Sequence, residues 1–127
     1  MHYRFTKHYT REEAEALLPQ VRIWLKRLNE LRQDLEKFDK RMGSMMSGGH
    51  DIGGDQVNRW IRTLADMQAA LAEFQRREIQ LKDLERGLID FPAIIGGREV
   101  FLCWEQDEEV IEFWHDLDTG YAGREHL

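Results

Sequence analysis

HYTREEAEALLPQVRIWLKRLNELRQDLEKFDKRM, residues 8–42, decides the fold. Leu17, Val21, Trp24, Leu28, Leu31, Leu35, Phe38 and Met42 recur at steps of four and three. That spacing keeps every apolar side chain on one stripe of an α-helix, and more than three heptads of it predict a long helix over residues 11–42. Its start is marked by Thr10 and Glu13, which have capping-box spacing, and by Glu12 and Glu15, which suit the positive end of the helix dipole. Pro19 lacks an N–H and crowds the preceding turn, so a kink or short break is expected near Leu18.

A second seam, Val57, Trp60, Leu64, Met67, Leu71 and Phe74, predicts a helix over residues 55–78. Gly and Ser in MGSMMSGGHDIGGD make residues 43–54 a flexible loop, in which His50 and Asp51 read as solvated polar residues. The two helices then form a long antiparallel hairpin over residues 11–78. After residue 78 the texture changes. GREVFLCW and VIEFWH are rich in β-branched and aromatic residues, and EQDEE lies between them. They predict a small C-terminal β-hairpin entered through Gly96–Gly97. With a loop of Gln106 to Glu109, Leu102 faces Phe113, Val100 faces His115, and Cys103 faces Glu112. Gly87 and Pro92 read as helix stops, and HYRFTKHY at the N-terminus as a further strand. The expected architecture is α+β, one domain over 1–127, with a β/turn region at 79–127.

Composition narrows the function classes. Among 127 residues there are 24 acidic and 18 basic side chains, a formal net charge of −6. Such a chain lacks the broad positive field of a nucleic-acid binder. One cysteine, Cys103, forms no internal disulfide, which points to a reducing, cytoplasmic setting. The N-terminus has no signal-peptide pattern, and no apolar run is long enough to span a membrane. GxGxxG, a P-loop, HExxH and paired CxxC are all absent, so neither nucleotide nor flavin binding is signalled.

Two stretches repeat. KDLERGL at 82–88 and HDLDTGY at 115–121 share Asp-Leu-x-x-Gly. The Asp can cap a single helical turn and the Gly can end it in the left-handed conformation. Since both phrases adjoin the β-hairpin, they are expected to lie near each other. If they do, Asp83 and Asp116 converge beside His115. From Glu105 to Asp118 there are seven carboxylates and no Lys or Arg, whereas Arg22–Arg41 holds seven basic and four acidic residues. Solvated faces attracting one another explain this asymmetry, and so does a cation site. Cys103, between Leu102 and Trp104, reads as a packed small hydrophobe rather than a nucleophile. Arg124 reads as an anion contact or as a clamp on Asp116 or Asp118.

HYTREEAEALLP, LKDLERGLIDFP and REVFLCW…FWHDLDTGYAGR together resemble the bacterial domain-of-unknown-function family 2203. The resemblance covers nearly the whole chain outside the glycine-rich loop. The chain departs from the usual pattern at Tyr9, where Phe is common, and at Asp107–Glu108, where Gly-Glu is. The resemblance implies that the motif residues act as a unit and names no substrate.

Two functions remain. In the first, the protein binds a divalent metal through His115, Asp83, Asp116 and Glu13, with Glu108 as an outlying candidate, and the mixture of imidazole and carboxylates favours Zn²⁺, Mn²⁺ or Fe²⁺. In the second, it is a non-enzymatic homodimer whose apolar helical stripes, widened by Trp24, Leu25, Trp60 and Ile61, meet a second copy or a protein partner.

Overall fold

A computed structural model describes residues 2–49 and 53–127 of the chain. His50 and Asp51, read above as loop residues, lie outside the described residues. The order is α1 (Arg11–Ser47), α2 (Gly54–Gln75), β1 (Gln80–Asp83), β2 (Leu88–Ile95), β3 (Arg98–Glu105), β4 (Phe113–Asp116), a 3₁₀ turn (Tyr121–Gly123) and β5 (Glu125–His126). The strands form one antiparallel sheet in sequence order. The class is α+β.

Helix α1 begins as its sequence dictates. Thr10 Oγ1 accepts from the Glu13 amide at 3.1 Å, and Glu13 Oε1 accepts from the Thr10 amide at 3.0 Å. Losing such a cap costs about 1 kcal/mol. The helix is continuous through Pro19, so the short break expected near Leu18 is absent. The missing N–H is one bond in a helix of 37 residues, and buried Leu18 and Val21 hold the chain on either side. Residues 43–47 continue α1, and Gly54 begins α2, so the connection is shorter than the expected 43–54 loop. Trp24 packs edge-on against Phe74 and Arg27 pairs with Asp66, so later residues of α1 meet earlier residues of α2. That is the antiparallel hairpin.

The sheet is larger than a single C-terminal hairpin. Strand β2 holds Pro92, which in a central strand would leave the ladder one donor short. It does no harm here because β1 reaches only Asp90, so beyond that residue β2 is paired on one side only. The free carbonyl of Pro92 accepts from the Tyr9 amide at 2.7 Å. This bond is the backbone tie of the N-terminal segment, which forms no strand, contrary to expectation. Gly96 (φ 58°) and Gly97 (φ 78°) make the two-residue turn from β2 to β3, which needs both residues in the left-handed region.

The register of β3 on β4 differs by one residue from the expected one. Val100 faces Asp116, Phe101 faces His115, Leu102 faces Trp114 and Cys103 faces Phe113. The connection extends through residue 112 because its own side chains are anchored. Ile111 is fully buried, its amide donates to Glu15 Oε1, and Trp104 Nε1 donates to the Glu108 carbonyl. A one-residue slip exchanges the faces of a strand, and here it decides where His115 points.

The two faces have separate covers. Ile89, Phe91, Ala93, Val100, Leu102 and Trp104 join Ala14, Leu18, Val21, Leu25, Leu28 and Phe74 in the core between sheet and helices. Asp90, Phe101, Cys103, Phe113 and His115 alternate with them on the outer face. The termini cover that face. Phe5 packs on Phe101 at 5.4 Å, and the Arg124 guanidinium lies 3.8 Å from the Phe113 ring centre. Two carboxylates hold the N-terminal strap. Glu99 accepts from the amides of Arg4 and Phe5 and pairs with His8, while Glu78 accepts from the amides of Thr6 and Lys7 and the Thr6 hydroxyl.

Among the described residues, no helix is long and apolar enough to cross a membrane.

Candidate metal centre

Strands β2, β3 and β4 each contribute one side chain to a buried cluster on the outer face: Asp90, Cys103 and His115. All three are buried, with exposures of 2%, 0% and 1%. Among the described residues they are the group of His, Cys and carboxylate side chains whose donor atoms all lie within 4.8 Å of one another.

The imidazole is held at both nitrogens. His115 Nδ1 lies 2.7 Å from the Asp116 carbonyl oxygen, which only accepts, so Nδ1 carries a proton. Nε2 lies 3.0 Å from Asp90 Oδ2. Burial alone would lower the His115 pKa. The Asp90 hydrogen bond, Cys103, the Asp116 carbonyl and the charge of Asp90 together outweigh it and raise it to about 10. The direction favours the protonated imidazole, hydrogen-bonded to Asp90 inside the fold. Asp90 Oδ1 is buried with no partner, an unusual cost for a carboxylate oxygen.

The donors fit a metal. With Nδ1–H committed to the Asp116 carbonyl, Nε2 becomes the ligand once its own proton leaves. A thiolate, an imidazole and a carboxylate together suit a borderline-soft divalent ion. Bond lengths of about 2.0 Å to N or O and 2.3 Å to S put tetrahedral donors roughly 3.3–3.6 Å apart. The three donor atoms would need to draw in by no more than roughly 1.5 Å from their outer limit.

The same geometry leaves little for nucleophilic catalysis. Cys103 has no exposed surface, and both imidazole nitrogens are already engaged. A thiol nucleophile needs an approach for its substrate and a free base nitrogen.

The five residues expected to form the site are distributed otherwise. His115 lies in the cluster. Asp116 contributes its backbone carbonyl, while its side chain turns to Arg98 at 2.9 Å. Glu108 stands one residue further out, paired with Arg124, whose Nη1 lies 3.8 Å from Cys103 Sγ. Arg124 therefore clamps Glu108 rather than Asp116 or Asp118. Glu13 is occupied by the helix cap. Asp83 Oδ1 accepts from the Arg86 amide and closes its own turn. The two repeated turns are not neighbours in the ladder. Asp83 faces Leu88, which faces Glu105, whereas Asp116 faces Val100. Five residues of β3 separate those levels, roughly 16 Å. Both glycines do take positive φ, Gly87 at 63° and Gly120 at 68°, but Gly120 has ψ −169° and so is extended rather than left-handed helical.

Asp90 was not among the expected residues. The available signal was an acid inside the apolar run LIDFPAII. A buried Asp is rare unless something pairs with it. Pro92 masked that run as a strand.

A small α+β protein with a buried three-donor cluster on the outer face of its sheet is the class that fold and site define. The chain matches the family described as "Uncharacterized conserved protein (DUF2203)" over residues 7–127, and it belongs to that family. No curated protein and no solved structure matches it.

Proposed function

We propose that the protein binds a divalent metal ion through Asp90 Oδ, Cys103 Sγ and His115 Nε2. The carrying observation is the convergence of three donors of different chemistry on one buried point, beside an unpartnered carboxylate oxygen. The ion replaces the proton shared by Nε2 and Oδ2 and the proton on the thiol, so the loaded site of one cation, one carboxylate and one thiolate is neutral. The thiolate favours Zn²⁺ over Mn²⁺ or Fe²⁺. Elemental analysis of purified protein, with melting curves in chelator and in added Zn²⁺, Mn²⁺ or Fe²⁺, tests the reading. Stoichiometric metal and a rise in melting temperature are expected. A metal-free protein whose melting point ignores all three ions would overturn it.

A second property has its own observation. Ile23, Met46, Ile61 and Leu64 are exposed on the helical hairpin, and Leu35, Phe38 and Trp60 are only half-buried there, although Leu25 is fully covered. This apolar surface supports a homodimer built helix against helix in a reducing, cytoplasmic setting. Light scattering on a sizing column tests it: a monomer at tens of micromolar removes the idea.

A further inference from the structure

The metal ligands have outer partners, and one of them is a charged side chain. The Arg124 guanidinium is held from every side. It makes two hydrogen bonds to Glu108, at 2.8 and 3.3 Å. It lies 3.8 Å from the Phe113 ring centre and 4.4 Å from that of Tyr121. Its Nη1 also points at Cys103 Sγ at 3.8 Å. Glu108 is fixed in turn, since its Oε1 accepts from the Glu105 amide at 2.8 Å. Tyr121 is anchored by its hydroxyl to Glu105 and by the Arg86 guanidinium over its ring. The side chains of Arg124 and Glu108 are largely covered. A planar cation gripped along one edge by a carboxylate and flanked by two aromatic rings therefore directs an Nη1 hydrogen at the sulfur.

We infer that Arg124 is the positioning residue of this centre, holding Cys103 as a thiolate ligand through an N–H···S hydrogen bond, so that the ion the site retains is of the zinc(II) class. The inference rests on the reading of Asp90, Cys103 and His115 as ligands. A thiol accepts weakly at 3.8 Å, whereas a thiolate draws the donor in, because charge-assisted hydrogen bonds are shorter and stronger. Arg124 does for sulfur what the Asp116 carbonyl does for the imidazole: each fixes the orientation of a ligand from outside. Lysine would keep the charge and lose the fork that grips Glu108. Because Arg124 belongs to the chain's last segment, beside β5, the covering of the site and the hydrogen bond to sulfur are one structural event.

The test uses cobalt(II) as a spectroscopic stand-in for zinc, on the full chain. Cobalt-loaded wild type is expected to show a sulfur-to-cobalt charge-transfer band. In Arg124→Met the band moves to lower energy, because the sulfur electrons lose their hydrogen bond. Zinc then leaves for a chromogenic chelator about tenfold faster or more. Glu108→Gln, which loosens the guanidinium without removing it, moves both readouts the same way by less, and Arg124→Lys recovers part of the effect. A merely structural clamp would lower the melting temperature and leave band and release rate in place. Wild-type band and rate in both Arg124→Met and Glu108→Gln overturn the inference. Cobalt bound without the band overturns it too, and leaves Asp90 and His115 as metal ligands. Wild type that takes up neither cobalt nor zinc removes the metal reading itself, and the inference with it.

Discussion

His115 Nε2 lies 3.0 Å from Asp90 Oδ2, across the whole width of strand β3 and 25 positions along the chain, with both side chains buried. Neither residue is balanced without the other. Removing either strands a polar group in an environment that cannot solvate it.

His115→Ala and Asp90→Ala are each expected to destabilise the metal-free protein by about 3–5 kcal/mol, the usual consequence of orphaning one member of a buried pair. The double variant should lose clearly less than the sum of the two, because its second substitution removes a charge that is already unpaired. Urea unfolding of all four proteins in chelator measures the coupling. Strict additivity would show that the pair contributes nothing as a pair.

Metal-dependent stabilisation should follow the three strands rather than the repeated turns. At a free zinc concentration a hundredfold above Kd, wild type gains about 2.7 kcal/mol. Cys103→Ser and Asp90→Asn are expected to lose most of that gain, while Asp83→Asn and Glu13→Gln keep it, since Asp83 closes a turn and Glu13 caps α1. Differential scanning fluorimetry with and without zinc distinguishes the sets.

Acid should release the N-terminal strap before it unfolds the core. For Glu99, burial works to raise the carboxyl pKa, but the His8 hydrogen bond and the amides of Arg4 and Phe5 prevail and hold it below the ordinary value. Glu78 is lowered chiefly by the Thr6 hydroxyl, against some burial, with the amides of Lys7 and Thr6 adding to it. A carboxylate whose folded pKa is depressed stabilises the fold fully above its unfolded pKa of about 4.3. That contribution is lost as pH falls through the lower folded value. Protection of the amides at residues 4–9, taken relative to intrinsic exchange at the same pH, should therefore fall below about pH 4.5 in wild type. In Glu78→Gln/Glu99→Gln it should already be low at neutral pH. Equal protection in both proteins at pH 7 would refute the tether.

The two stripes of the hairpin should respond in opposite ways. Leu28 is fully buried against the sheet, so Leu28→Ala costs about 2–5 kcal/mol. Ile61 is 53% exposed, so Ile61→Glu should leave the monomer's stability within about 0.5 kcal/mol. It should instead shift a concentration-dependent association measured by analytical ultracentrifugation. No shift in a dimeric wild type would place the interface elsewhere.

Local order was legible in the residues because it is local. The steps of Leu17 to Met42 mark a helical face wherever the helix packs, and Thr10 with Glu13 closes its first turn using neighbours three positions apart. Gly87 and Gly120 likewise end their turns through their own backbone freedom. Helix α1, the hairpin with α2 and the pairing of β3 with β4 follow from such signals. The family, too, was visible in the motifs.

What brings Asp90, Cys103 and His115 together is a register, and a register is a tertiary decision. Ile111 settling into the core lengthens the β3–β4 connection, and the one-residue shift turns His115 from the helical side to the outer face. Pro92 reads as a stop in isolation. It is tolerated inside β2 only because β1 has already ended and Tyr9 arrives to use the spare carbonyl. Asp83 and Asp116 look alike as strings, yet the sheet sets them at different levels and gives one an amide and the other Arg98. Periodicity and capping act over three or four residues and can be read from the chain. The alignment of three strands depends on packing among side chains as far apart as Glu15 and Ile111, and only the folded sheet contains it.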